Sequence, residues 1–140
     1  MRRILAIVFA VGLFAGPVSA AGGIIAMVDI SEQHMVVAVD GKGVYKWPVS
    51  TARPGKRTPT GVYRPQFLSP NHRSSLYNGA PMPWSIFFNG NYAIHGTNQV
   101  SRLGTPASAG CVRLHPEHAK TLFQMVRKAG MGNMRVVIRQ

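Results

Sequence analysis

The stretch "SAGCVRLHPEHAKTLFQMVRKAG", residues 108–130, holds the change of period on which the fold turns. Up to Leu114 the chain reads as strands and turns. From Ala119 onward the apolar residues Ala119, Leu122, Phe123 and Val126 recur at i, i+3, i+4 and i+7, which is one face of a helix. His115-Pro116-Glu117 forms its start, with proline at the first position and an acid in the first turn. Lys128 lies in the last turn and Gly130 supplies the stop. "MRVVIR" (Met134–Arg139) then reads as a final strand.

Upstream of residue 108 the signals are those of short strands. "GIIAMVDI" (Gly23–Ile30) and "HMVVAVD" (His34–Asp40) are β-branched and apolar, and "DGKG" (Asp40–Gly43) is a hairpin turn. "VYKWPVS" (Val44–Ser50) is the next strand, moved toward an edge by Pro48. "TARPGKRTPTG" (Thr51–Gly61) is loop chemistry, and "VYRPQFL" (Val62–Leu68) is expected as one strand. "SPNHRSSLYNGAPMP" (Ser69–Pro83) is expected to be irregular. "WSIFFNGNYAIHG" (Trp84–Gly96) reads as a hairpin across Asn89-Gly90, with His95 at a strand end. The expected fold class is mostly β with one helix, a β-sandwich or barrel-like single domain.

The first twenty residues carry a different signal. Arg2 and Arg3 are followed by an uncharged apolar run from Ile4 to Gly16, and Val18-Ser19-Ala20 offers a small-x-small cleavage site. That is the layout of a secretory signal peptide, with a run too short to span a bilayer comfortably. Residues 1–20 are therefore expected to be a signal peptide, residues 21–140 the working domain, and the location the periplasm or the exterior, associated with the cell envelope. Sixteen Lys and Arg stand against four acids, a formal net charge of +12. Such a surface favours polyanionic surroundings. With export, an anionic cell envelope is the expected partner and nucleic acid is not. No stable protein partner can be inferred.

An exported chain with one cysteine has no intramolecular disulfide, and its thiol is either a bridge to another chain or a free reactive group. Cys111 follows Gly110 in a turn between the strand at His95 and the helix. Glycine allows a carbonyl group to approach the backbone closely, and successive N–H groups in such a turn can hold an oxyanion. Arg113 places a cation two residues on, which is expected to lower the thiol pKa. His95 is the candidate base. The alternative reading of a lone cysteine is a small buried hydrophobe.

The segment "IHGTNQVSRLGTPASAGCVRL" (Ile94–Leu114) resembles the signature of the L,D-transpeptidase catalytic domain, the YkuD family. The pattern is a His-Gly pair, a spacer, then Ser-x-Gly-Cys, a hydrophobic residue and Arg or Asn. "VSTARPGKRTPTGVYRP" (Val49–Pro65) and "MPWSIFFNGNYAIHG" (Met82–Gly96) resemble two further stretches of that family, in the same order. The resemblance implies that Cys111 is the nucleophile attacking a peptidoglycan stem-peptide amide and that His95 moves its proton. It also implies that the Gly96 carbonyl holds the histidine and that the N–H groups of Gly110 and Cys111 hold the oxyanion. Arg113 and Ser108 would contact substrate. Trp84 and Phe88 would be wall residues, with simple core packing as their alternative. No cofactor and no metal are implied, and the cysteine pairs or His-Glu-x-x-His spacing of a zinc site are absent.

Two departures stand out. Ala109 replaces a histidine found before Gly-Cys in many members of that family. Residues 21–140 carry no lysin-motif or other wall-binding module, so the basic surface is expected to take that role. The function expected is that of an exported cysteine acyltransferase, an L,D-transpeptidase that cross-links or remodels the wall. The alternatives are an L,D-carboxypeptidase or cross-link hydrolase using the same site, and a catalytically degenerate wall-binding protein.

Overall fold

Apolar alternation in the first strands sets one face of a sheet, and everything else packs on that face. In the computed structural model, which describes residues 23–140, strands β1 (Ile24–Asp29) and β2 (His34–Val39) pair antiparallel. Ile24, Ala26, Val28, Met35 and Val37 are buried on their shared inner face. Asp40 (φ 51°) and Gly41 (φ 85°) form the two-residue turn to β3 (Lys42–Pro48). Two left-handed residues match the twist of the flanking strands, which is why Asp-Gly suits this position. Strand β3 lies at the sheet edge, where the missing N–H of Pro48 disrupts no ladder.

The segment 62–68, expected as one strand, is two. Strand β4 (Gly61–Tyr63) pairs antiparallel with the last strand, β9 (Met134–Arg139), and completes a five-stranded sheet of order β3-β2-β1-β9-β4. Strand β5 (Phe67–Arg73) belongs to a second sheet of order β5-β6-β7-β8. Between them lies Pro65, which is buried. It has no N–H to donate and biases Arg64 away from helical backbone, so the chain leaves one ladder and enters another.

The expected irregular segment 69–83 is also ordered. Strand β5 pairs with β6 (Pro81–Asn89), and the turn between them is closed by Ser74 N–H donating to Ala80 O at 2.9 Å. Ser74 Oγ accepts from the N–H groups of Leu76 and Tyr77. Pro81 and Pro83 are tolerated because β7 (Tyr92–Gly96) pairs only with the later half of β6, from Ile86 to Asn89. Trp84 adopts φ 57° and breaks the alternation of β6. Ile86 and Phe88 enter the main core, whereas Met82 and Phe87 join Ala93 in a small cluster on the other face.

The helix runs as read, Pro116–Ala129, and is labelled α1. His115 Nδ1 accepts from Glu117 N–H at 3.1 Å, capping the helix start. Its buried residues are Ala119, Leu122, Phe123 and Val126, packed on β6 and β7. Burial of Leu122 and Phe123 contributes on the order of 2–3 kcal/mol each. The main core lies between the larger sheet on one side and the smaller sheet with α1 on the other. Both sheets are mixed: β1 pairs parallel with β9, and β7 pairs parallel with β8 (Val112–Leu114). The expected class, mostly β with one helix, holds for the described residues. The expected signal peptide, residues 1–20, lies outside them.

Candidate active site

Parallel neighbours cannot be joined by a tight hairpin, because the chain must return to the starting end. Residues 97–111 make that return between β7 and β8, and this is the physical content of the spacer between the His-Gly and Gly-Cys pairs. The register then places Ile94 opposite Val112 and His95 opposite Arg113. Side chains alternate along a strand. Ile94, Val112 and Leu114 therefore enter the core, while His95 and Arg113 share the opposite face. Cys111 extends β8 by one residue on that second face and packs against Ala93, Met82 and Phe87.

That face is the floor of an open cleft of about 700 Å³, which His95, Cys111 and Arg113 all line. Leu76 and Tyr77, exposed at the β5–β6 turn, form part of its rim. His95 is buried, and its Nδ1 lies 2.6 Å from Gly96 O. A carbonyl only accepts, so Nδ1 carries the proton and donates it, and Nε2 keeps its lone pair for proton abstraction. Gly96 is required for packing as well. A Cβ there would meet Pro116 Cα at 3.0 Å, so glycine lets the helix start close against β7.

The thiol environment differs from expectation. Burial pushes the Cys111 thiol up, outweighing the Ala93 N–H and the Arg113 charge, both of which act to lower it. Arg113 alone had suggested a lowered value; desolvation of the thiolate wins. The His95 imidazole is pushed down to about 4, first by burial, with repulsion from Arg113 and His72 added and the Gly96 carbonyl acting in the other direction. The resting pair at neutral pH is thus a thiol, donating weakly to Asn91 O at 3.7 Å, and a neutral imidazole.

A measurable stability effect follows. Below pH 6.5 an unfolded imidazole takes up a proton that folded His95 refuses until about pH 4. The stability contributed by the neutral group is fully present above pH 6.5 and is lost as pH falls to about 4, by about 3 kcal/mol in all. Denaturant titrations across this window should show that loss, and a much smaller one in His95→Phe. An equal slope in the variant would mean that other groups carry the acid sensitivity.

The turn before Cys111 is braced from three sides. Ser108 Oγ donates to Cys111 O at 2.7 Å and accepts from Gly110 N–H at 3.0 Å. Thr58 Oγ1 donates to Gly110 O at 2.9 Å and accepts from Ala52 N–H. Thr51 O accepts from the N–H groups of Ala107 and Ser108, and Thr51 is itself held by Gln33. The Ser-Thr and Thr-Pro-Thr-Gly stretches therefore build the cradle of the thiol turn. Gly110 has φ 142°, and a Cβ there would meet Tyr92 Cε1 at 2.6 Å and Arg57 O at 3.0 Å. Gly110→Ala is expected to cost stability by about 2–4 kcal/mol and to displace the turn, from backbone strain and overpacking together. A melting curve unchanged within a degree would contradict this.

Several residues play parts other than those expected of them. The Gly110 N–H is engaged by Ser108 Oγ, so it is not a free oxyanion donor here. The Cys111 N–H has no side-chain or turn partner among the described residues. Ser108 is buried in the cleft wall, and its hydroxyl also braces the turn. Trp84 does not line the cleft. It packs edge-on against Phe123, with Lys120 over its ring, because the left-handed backbone turns it toward the helix. Phe88 is core and stacks obliquely with Tyr63. Arg113 does reach the cleft, half-buried, with Nη1 donating to Gln99 Oε1 at 2.9 Å. Arg53, Gln99 and Asn91 were not singled out by sequence; their positions depend on loop placement, for which the chain carries no local signal. Ala109 contributes only a methyl group to the cleft wall. Among the described residues no three His, Cys, Asp or Glu gather as a metal site.

Comparison with known proteins identifies relatives of this chain. The family model of the L,D-transpeptidase catalytic domain matches residues 23–138. A curated relative, the putative L,D-transpeptidase YkuD of Bacillus subtilis, is 24% identical over 99 residues, covering 71% of this chain and 58% of its own. The solved L,D-transpeptidase from Mycobacterium smegmatis superposes with a TM-score of 0.76 at 21% identity, over 85% of this chain and 59% of that one. The L,D-transpeptidase from Stackebrandtia nassauensis gives a TM-score of 0.74 at 26% identity, over 84% and 56%. The chain thus spans a little under three-fifths of the length of these relatives.

Proposed function

Because this chain belongs to the L,D-transpeptidase catalytic domain family, we propose that it is an exported cysteine acyltransferase acting on peptidoglycan stem peptides. The observation that carries the proposal is the parallel β7–β8 register, which brings a lone-pair-bearing imidazole and the sole thiol to one face of an open cleft. Cys111 Sγ attacks the scissile carbonyl carbon while His95 Nε2 takes the thiol proton. The new C–S bond gives a tetrahedral oxyanion, for which the Cys111 N–H is the best-placed donor. His95 returns the proton to the leaving amine as the C–N bond breaks, leaving a thioester. An acceptor amine then attacks the thioester, His95 takes its proton, and the thiolate leaves and is reprotonated.

Thiol and imidazole start neutral, so attack and proton transfer are concerted in this reading rather than preceded by a stored ion pair. Arg113 is assigned to a substrate carboxylate, which its planar fork can grip with two N–H groups. The features of residues 1–20 and the basic surface support a working place in the cell envelope, against anionic polymer. The experiment that tests the whole reading is incubation with tetrapeptide-stem muropeptides, followed by mass analysis. Cross-linked dimers with release of the terminal residue are expected. Trimmed monomers alone would assign water as the acceptor, and untouched substrate would reject the activity.

A further inference from the structure

The cleft holds more positive charge than one carboxylate can neutralise. Arg113 and Arg53 both line it, and no Asp or Glu does. The four acids of the chain are elsewhere: Asp29, Glu32 and Asp40 in the first three strands and their turns, and Glu117 at the start of α1. Arg102, in the one-turn helix Val100–Arg102 of the β7–β8 crossover, is close enough to act on the Arg113 guanidinium together with Arg53. Like charges gathered without a counter-charge oppose each other in the free protein. The one ion pair among the described residues, Arg139 with Asp29, lies in the other sheet. Among the described residues the Arg53 side chain has no hydrogen-bond partner, while its backbone is fixed. Its N–H donates to Ser108 O at 2.9 Å, in the same turn that Ser108 ties to Cys111. The base of this arginine is thus held against the nucleophile's own turn, and its charged end is free to meet a ligand.

We propose that Arg53 forms a second carboxylate site in the cleft that holds the thiol, so that the cleft selects peptides bringing two carboxylates to it, one at Arg113 and one at Arg53. Each guanidinium offers a two-pronged donor that matches a carboxylate. Two such groups on one peptide would replace mutual repulsion by two charge-assisted contacts. Arg53 is a specificity-determining residue on this view and has no part in the bond-making steps. The identity of the peptide as a wall stem rests on the function proposed above; the carboxylate site itself does not.

The test has two arms. In the first, Cys111 is alkylated by iodoacetate, which carries a carboxylate, and by neutral iodoacetamide, and the rate ratio is compared with that of N-acetylcysteine. The protein is expected to favour iodoacetate about tenfold relative to the free thiol, the scale of one charge-assisted hydrogen bond. Arg53→Gln should lower that preference severalfold, leaving the part due to Arg113. Lys128→Gln, which changes net charge equally on the far end of α1, should not. In the second arm, stem peptides differing only in amidation of the side-chain carboxylate are compared, and the free acid is expected to be about tenfold better in kcat/KM, with the advantage reduced by Arg53→Gln. A ratio equal to that of N-acetylcysteine, or unchanged by Arg53→Gln, overturns the site. Iodoacetate preference with neither peptide processed sustains the site and sinks the stem-peptide reading. Processing of both peptides without preference, together with no iodoacetate preference, does the reverse.

Discussion

Incubated with a tetrapeptide-stem substrate, the wild-type protein is expected to gain the mass of the acyl group on Cys111, and Cys111→Ala is expected to gain none. The substitution removes one atom from a half-buried position in the small cluster of Met82, Phe87 and Ala93. The thiol donates only weakly, to Asn91 O at 3.7 Å. The stability cost should be about 1 kcal/mol, which leaves the fold intact and the chemistry absent. Intact-mass spectrometry reads the adduct, and a melting curve reads the fold. Cys111→Ala processing substrate at the wild-type rate would refute the covalent route. An intact fold with no adduct in either protein would instead reject the substrate.

The second large effect belongs to His95. We expect His95→Ala to lower kcat by about 10⁴- to 10⁶-fold, as removal of one member of a cooperating set does. Because the thiol is pushed up by burial, little thiolate exists at neutral pH to compensate for a missing base. The rate in the variant should therefore climb with pH, where the wild type is nearly flat above its acid limb at about pH 4. Added imidazole, small enough for the open cleft, should restore part of the rate, which a merely structural histidine would not allow. His34→Ala, on β2, and His118→Ala, whose ring stacks on Trp47, should retain activity. Equal losses from all three substitutions would indicate damage to the fold.

What the sequence determined alone was whatever depends on neighbours a few residues away. The periods of β1, β2, β9 and α1, the Asp40-Gly41 turn, the His115-Pro116 helix start and the Gly130 stop are all local matters of backbone freedom and side-chain spacing. The His-Gly and Ser-x-Gly-Cys pairs were legible for the same reason, since each is one turn or strand end. What only the tertiary structure decided was partnership and environment. The local pattern of 62–68 reads as one strand through Pro65, and nothing nearby says that β4 joins β9 while β5 joins β6. Trp84 carries the same apolar signal whether it faces a cleft or a helix, and its left-handed backbone settles which. The Arg113 charge two residues from Cys111 suggested a lowered thiol pKa, yet the desolvation that reverses the sign comes from strands β6 and β7, distant in sequence. Arg53 lines the thiol's cleft only because its loop is bonded to Ser108, fifty-five residues away by number. Local periodicity fixes which way a side chain leaves its own strand; it carries no information about what the rest of the chain places there.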